Sequence, residues 1–213
     1  MLNLVFAFVT SLLLGMRHAT DPDHVVAVST IVSREHSISR AGGIGLLWGA
    51  GHTLTILVVG GMIIAFKLAF TPTIGLSLEL AVAVMLILLG TLNMLGVHSH
   101  ASVMNAARPF FVGVVHGLAG SAAATLLILP LIDDARWAVL YLVVFGLGTI
   151  AGMAVVTIAI AAPAALVGKR VGGLQRGIRL ASGAVSLCFG LYLSWRIGYV
   201  DGLFTGQPRW TPQ

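Results

Sequence analysis

Six long apolar stretches, separated by short polar connections, constrain this chain more than any other feature. They run roughly over residues 2–31, 42–66, 77–97, 108–132, 137–166 and 177–199. A bilayer-crossing helix needs about 20 mostly apolar residues. In lipid every backbone polar group must be satisfied within the protein, which leaves only helices or a closed barrel. Runs this long predict helices, so the expected fold is an all-α integral membrane protein with six transmembrane helices in one domain over 1–213. Composition agrees: of 213 residues 58% are hydrophobic and 9% charged, against about 25% charged in soluble domains. The mean hydropathy is +1.01. The first and fifth stretches exceed a straight span, so each is expected to tilt, break or project. Pro22 disfavours a straight helix through the first, and Pro163 is expected to end the fifth early.

The net charge of +5 would suggest nucleic acid for a soluble protein. Here the cations are scattered over short loops, so the charge reads as topology and no nucleic-acid partner is expected. Arg34, Arg40, Arg108, Lys169, Arg170, Arg176 and Arg179 fall on one side, and Lys67, Arg136, Arg196 and Arg209 on the other. The richer side is the cytoplasmic candidate, which puts both termini outside. No Lys or Arg precedes the first span, so residues 2–16 read as mature protein rather than a signal peptide. The single cysteine, Cys188, excludes an internal disulfide or a redox pair and is expected to pack inside.

Ionisable residues interrupt this apolar background in one place above all: Arg17-His18-Ala19-Thr20-Asp21-Pro22-Asp23-His24. Such groups inside a span are costly and mark a substrate or ion path by default. Imidazole with carboxylate is also a ligand set for divalent transition metals. Counting from the span ends at about 1.5 Å per residue puts His24, His52 and His116 all roughly 12–15 Å deep. Three histidines from three helices at one depth is what a shared metal site requires. Asp21, three residues from both His18 and His24, shares their face if the segment stays helical. Asp23 points elsewhere and could orient a histidine from behind the ligands. Arg17 is expected to neutralise one carboxylate. The metal candidates are therefore His18, Asp21, Asp23, His24, His52 and His116. The competing bland reading is a polar packing knot in the first helix and lone hydrogen-bonded histidines at 52 and 116. His98 and His100 read as a solvated loop or a weak capture point, and His36 as loop. Glu79 reads as the start of a helix. Asn93, Ser121 and Thr125 could line a path or bridge helices. The small-residue run Gly117–Thr125 reads as a tight helix crossing, with or without a break that turns carbonyls toward an ion.

The two halves also match. Gly15-x-x-His18 aligns with Gly113-x-x-His116, Trp48-Gly-x-Gly51 with Phe145-Gly-x-Gly148, and Leu89-Gly90 with Phe189-Gly190. Repeat 1 then covers about 1–97 and repeat 2 about 108–199. Three helices per half is an odd number, so the halves have opposite orientation, as in transporters with a midplane site.

His18-x4-Asp23-His24 resembles the signature of the nickel/cobalt transporter superfamily. Gly51-His52-Thr53 is similar to that family's Gly-His-Ser/Thr element, and Gly113-x-x-His116-Gly-Leu-Ala-Gly-Ser resembles its urease accessory protein H-like branch. The resemblance implies that His18, Asp23 and His24 select and carry metal, with Ni²⁺ first and Co²⁺ second as transported substrates rather than cofactors. It implies a cytoplasmic membrane location, and a metallochaperone or nickel-enzyme maturation protein as partner. Because ligands must be deprotonated, affinity is expected to fall at acid pH. The lack of thiolates argues against Cu(I), and no P-loop is present for ATP. The reading is a transporter, not an enzyme. The alternatives are a membrane metal-dependent hydrolase and a metal-binding accessory or sensor without transport.

Overall fold

In the computed structural model, which describes residues 2–33, 35, 37–66, 71–96, 102–118, 132, 134–167 and 172–210, every described element is helical. The helices are α1 (Leu2–His18), α2 (Pro22–Val32), α3 (Ile38–Phe66), α4 (Pro72–Leu95), α5 (Ser102–His116), α6 (Ala135–Val167) and α7 (Gly172–Trp195). A π-helical turn, Arg196–Val200, continues α7. Among the described residues four helices are long and apolar enough to cross a membrane, lying in α3, α4, α6 and the α7–π segment. This fits a multi-pass membrane protein.

The first apolar stretch breaks, and the local chemistry explains where. Pro22 has no N–H and is tolerated only in the first turn of a helix, and it opens α2. The residue before a proline is driven to an extended conformation, and Asp21 has φ −59° and ψ 145°. The short turn between helices is closed by Thr20 N–H to the Arg17 carbonyl at 2.8 Å and Asp21 N–H to the His18 carbonyl at 3.1 Å. The break itself is open at Thr20 and Pro22, while the flanking His18, Ala19 and His24 are buried. Pro163, by contrast, does not end α6, which runs on to Val167. Glu79 does not start a helix either. Thr71 accepts the Ile74 N–H as N-cap, Pro72 opens α4, and Glu79 lies two turns in. The fourth apolar stretch is described only to Leu118, so Ser121 and Thr125 fall outside the described residues, as do His36, His98 and His100.

Packing inverts the pattern of a soluble protein. Large apolar side chains such as Phe6, Leu13, Leu54, Leu88, Leu147 and Leu191 are exposed, as a lipid-facing surface requires. Helices meet through glycine instead. α1 and α3 both lie along α6, α5 lies along α3, and α4 lies along α7. A Cβ at Gly15 would strike the backbone of Phe145 and Thr149, and one at Gly113 that of Trp48. Gly51 rests on the backbone of Phe110 and Val114, and Gly148 on that of Leu12. Gly90 rests on Gly183 and Leu187, and Gly190 on Ala83 and Ile87. Each contact therefore has a counterpart displaced by about a hundred residues in both partners. α2 reaches α4, α6 and α7, where Ala27 and Val28 join Val82, Leu86 and Met153 in one buried cluster.

Cys188 is exposed on α7 rather than packed inside. After the π-turn the chain reverses at Gly202, in the left-handed region at φ 83°. Its return is pinned by Arg209 N–H to the Asp201 carbonyl at 2.8 Å. Trp210 comes back over Gly75 and donates its indole N–H to Glu79 Oε1 at 2.8 Å.

Candidate metal centre

The α1–α2 break gathers the charged motif beside α3 and α5. His18 ends α1, and Asp21, Asp23 and His24 open α2, where carboxylates suit the positive end of the helix dipole. His52 comes from the middle of α3 and His116 from the last residue of α5. All four histidines are buried. Their ring centroids fall close together: 4.7 Å from His18 to His24, 5.0 Å from His18 to His52, 5.1 Å from His24 to His52 and 4.9 Å from His24 to His116.

Of the two histidines expected on the face of Asp21, only His18 meets it, while Asp23 orients a histidine as expected. The break separates Asp21 from His24. Asp21 Oδ2 instead accepts from His18 Nδ1 at 2.8 Å, and Asp23 Oδ1 from its neighbour His24 Nδ1 at 3.0 Å. A carboxylate only accepts, so each of these histidines carries its proton on Nδ1. In a neutral ring that leaves Nε2 as a bare lone pair. This is the arrangement by which carboxylates orient metal-binding histidines. His24 Nε2 is buried without a hydrogen-bond partner among the described residues. His18 Nε2 accepts from His52 Nε2–H at 3.0 Å, which is also about the separation of two nitrogens on one metal at bond lengths near 2.1 Å. His52 Nδ1 and both ring nitrogens of His116 have no partner among the described residues. Asp23 Oδ2 stands 3.8 Å from His116 Nε2.

Two sets of potential ligand atoms lie within 4.8 Å of one another: His18, His24 and His52, and Asp23, His24 and His116. Five of the six sequence candidates lie in these two sets, and Asp21 is joined to them through its bond to His18. Arg17 does not join it: it is exposed and makes no ion pair among the described residues.

Aromatic rings wall the cluster. Trp48 stacks on His24 at 5.5 Å with 28° between planes and meets His116 edge-on at 5.4 Å. Phe145 lies 5.7 Å from His18. Sequence reading used both residues only as repeat markers. The signal for Trp48 was its spacing: it lies four residues before His52, on the same helical face.

The chain is 34% identical over 209 residues to the urease accessory protein UreH of Bacillus sp. (strain TB-90), covering 90% of this chain and 91% of that one. No protein-family model matches, and no solved structure does.

Proposed function

This chain belongs to the urease accessory protein H-like branch of the nickel/cobalt transporter superfamily, and we propose on that premise that it carries Ni²⁺, with Co²⁺ second, across the cytoplasmic membrane. The observation that carries this reading is the carboxylate behind each of His18 and His24 at the break between two helices, which leaves His24 Nε2 buried without a partner and sets His18 Nε2 3.0 Å from His52 Nε2. His52 and His116 supply further imidazoles, and Asp21 and Asp23 hold the rings and balance the ion's charge. A polar packing knot would be expected to pair its nitrogens; orphaned buried nitrogens fit a cluster kept for a ligand.

The mechanism we favour is alternating access about the cluster, with two inverted three-helix repeats rocking on one another. The paired glycine contacts support it, because exchanging the halves exchanges Gly15 on Phe145 for Gly113 on Trp48 and Gly51 on Phe110 for Gly148 on Leu12. In this arrangement both termini face outward, and no enzymatic step is involved. On the inner side the ion would pass to a metallochaperone or nickel-enzyme maturation protein, a role in line with the relative's name.

That name also favours a second reading, a metal-binding accessory that moves no ion. Ni²⁺ uptake into liposomes bearing the purified protein separates the two. The expected result is uptake by the wild type that falls at least about tenfold in His18→Ala. Nickel binding by the wild type with no uptake would reject the carrier in favour of the accessory.

A further inference from the structure

We infer that the cluster offers a divalent cation two alternative positions, one among His18, His24 and His52 and one among Asp23, His24 and His116, with His24 as the ligand they share. This rests on the metal-binding reading above and goes beyond it in saying how the ion moves inside the cluster. Ligand atoms close to within 4.8 Å in two separate groups of three, and no group of four closes among the described residues. In this geometry the four histidines do not converge on a single point. The first group is complete without His116. Yet His116 is fully buried with neither ring nitrogen partnered among the described residues, and its Nε2 stands 3.8 Å from Asp23 Oδ2. That distance is too long for a hydrogen bond but can be bridged by one cation bonding each atom at about 2.1 Å.

The shared residue makes the positions exclusive. A neutral imidazole has one lone pair available at a time, because its other nitrogen carries the proton. With Nδ1–H on Asp23 Oδ1 at 3.0 Å, His24 offers Nε2 to the three-imidazole position, and Asp23 only orients the ring. For the second position His24 gives up its Nδ1 proton to water and takes one from water at Nε2, so that Nδ1 becomes the donor and Asp23 becomes a ligand beside His116. The ring stays neutral, and no second cation is needed. The ion thereby leaves the histidines of α1 and α3 for one from α5.

Co²⁺ absorption of the purified full chain in lipid nanodiscs tests this, because the visible bands separate an all-nitrogen ligand set from one with a carboxylate. The wild type should bind one Co²⁺ per chain, with a spectrum that changes with temperature as two populations exchange. His116→Gln and His52→Gln should each keep one Co²⁺ but give two different spectra that together reproduce the wild type. His24→Ala should weaken binding at least about tenfold. A temperature-invariant wild-type spectrum would overturn the inference. So would His116→Gln indistinguishable from the wild type, or identical spectra and affinity losses in the two glutamine variants. The wild-type temperature series stands even if a variant does not fold. Absence of Co²⁺ binding by the wild type would instead sink the metal reading itself.

Discussion

Among the described residues two polar clusters stand out in this apolar bundle, one buried and one half-buried, and they are built on opposite principles. The first is the histidine cluster at the α1–α2 break. The second joins the other end of α2 to α4 and α7. There the two N–H groups of the Asn93 amide are shared among Ser33 Oγ at 3.3 Å, the Arg179 carbonyl at 3.1 Å and Ser182 Oγ at 3.1 Å. Arg179 Nη1 donates back to the Asn93 carbonyl at 3.3 Å, and Thr30 Oγ1 to the Ser182 carbonyl at 3.3 Å. No Asn93 or Ser182 side-chain atom is left buried without a partner, whereas the histidine cluster has four such nitrogens among the described residues. Both clusters are polar and lie among apolar helices. What separates them is satisfaction: a closed hydrogen-bond network holds helices together, while one left open inside a membrane protein is reserved for something that arrives.

The contrast can be broken most violently through the glycines that bring the histidines together. Gly113→Leu would drive a side chain into the Trp48 backbone and lift α5, with His116, off α3. We expect no Co²⁺ binding and most of the protein in aggregates on size exclusion. A folded, metal-binding Gly113→Leu would mean that close approach does not assemble the cluster. A milder break removes one carboxylate. Asp21→Asn should leave His18 less firmly oriented and weaken Co²⁺ binding about 10- to 100-fold by calorimetry, with little change in thermal unfolding. The smallest effect is expected at the closed network. Asn93→Ala should cost about 1 kcal/mol of stability in a denaturant titration and leave Co²⁺ affinity unchanged. Equal affinity losses in Asp21→Asn and Asn93→Ala would erase the distinction between the clusters.

Much of this was legible before any coordinates. The common depth of His24, His52 and His116 follows from helical rise alone, and so does their meeting once the helices stand side by side. Asn93 as a bridge between helices needed only its polarity in an apolar run. Asp21 beside His18 and Asp23 behind a histidine were legible too, but the separation of Asp21 from His24 was not. Three-residue spacing puts Asp21 and His24 on one face of an intact helix, and Pro22 removes the helix on which that count depends. Pro163 shows the reverse limit, since proline interrupts one stretch and leaves the other continuous. In membrane helices, neighbours and local adjustments can satisfy the backbone group that a proline frees. The Trp210–Glu79 bond was beyond reach because it depends on a reversal at Gly202 that joins residues 131 positions apart. Cys188 and Arg17 mislead for a simpler reason: in a bundle surrounded by lipid, an apolar run does not say which of its faces is inside.

The glycine seats have a consequence for how the chain is made. α1 leaves the ribosome first, but the helix it rests on is α6, and Ser11 Oγ reaches the Tyr141 carbonyl 130 positions later. Until α6 is inserted, the groove on α1 that holds Gly15 has only lipid or another protein to cover it. The motif that follows stands half-built in the bilayer for the same interval, its aspartates and first two histidines without those of α3 and α5. Synthesis thus exposes the costliest residues early and completes their surroundings last, so a chain arrested midway should be a prime client for membrane quality control.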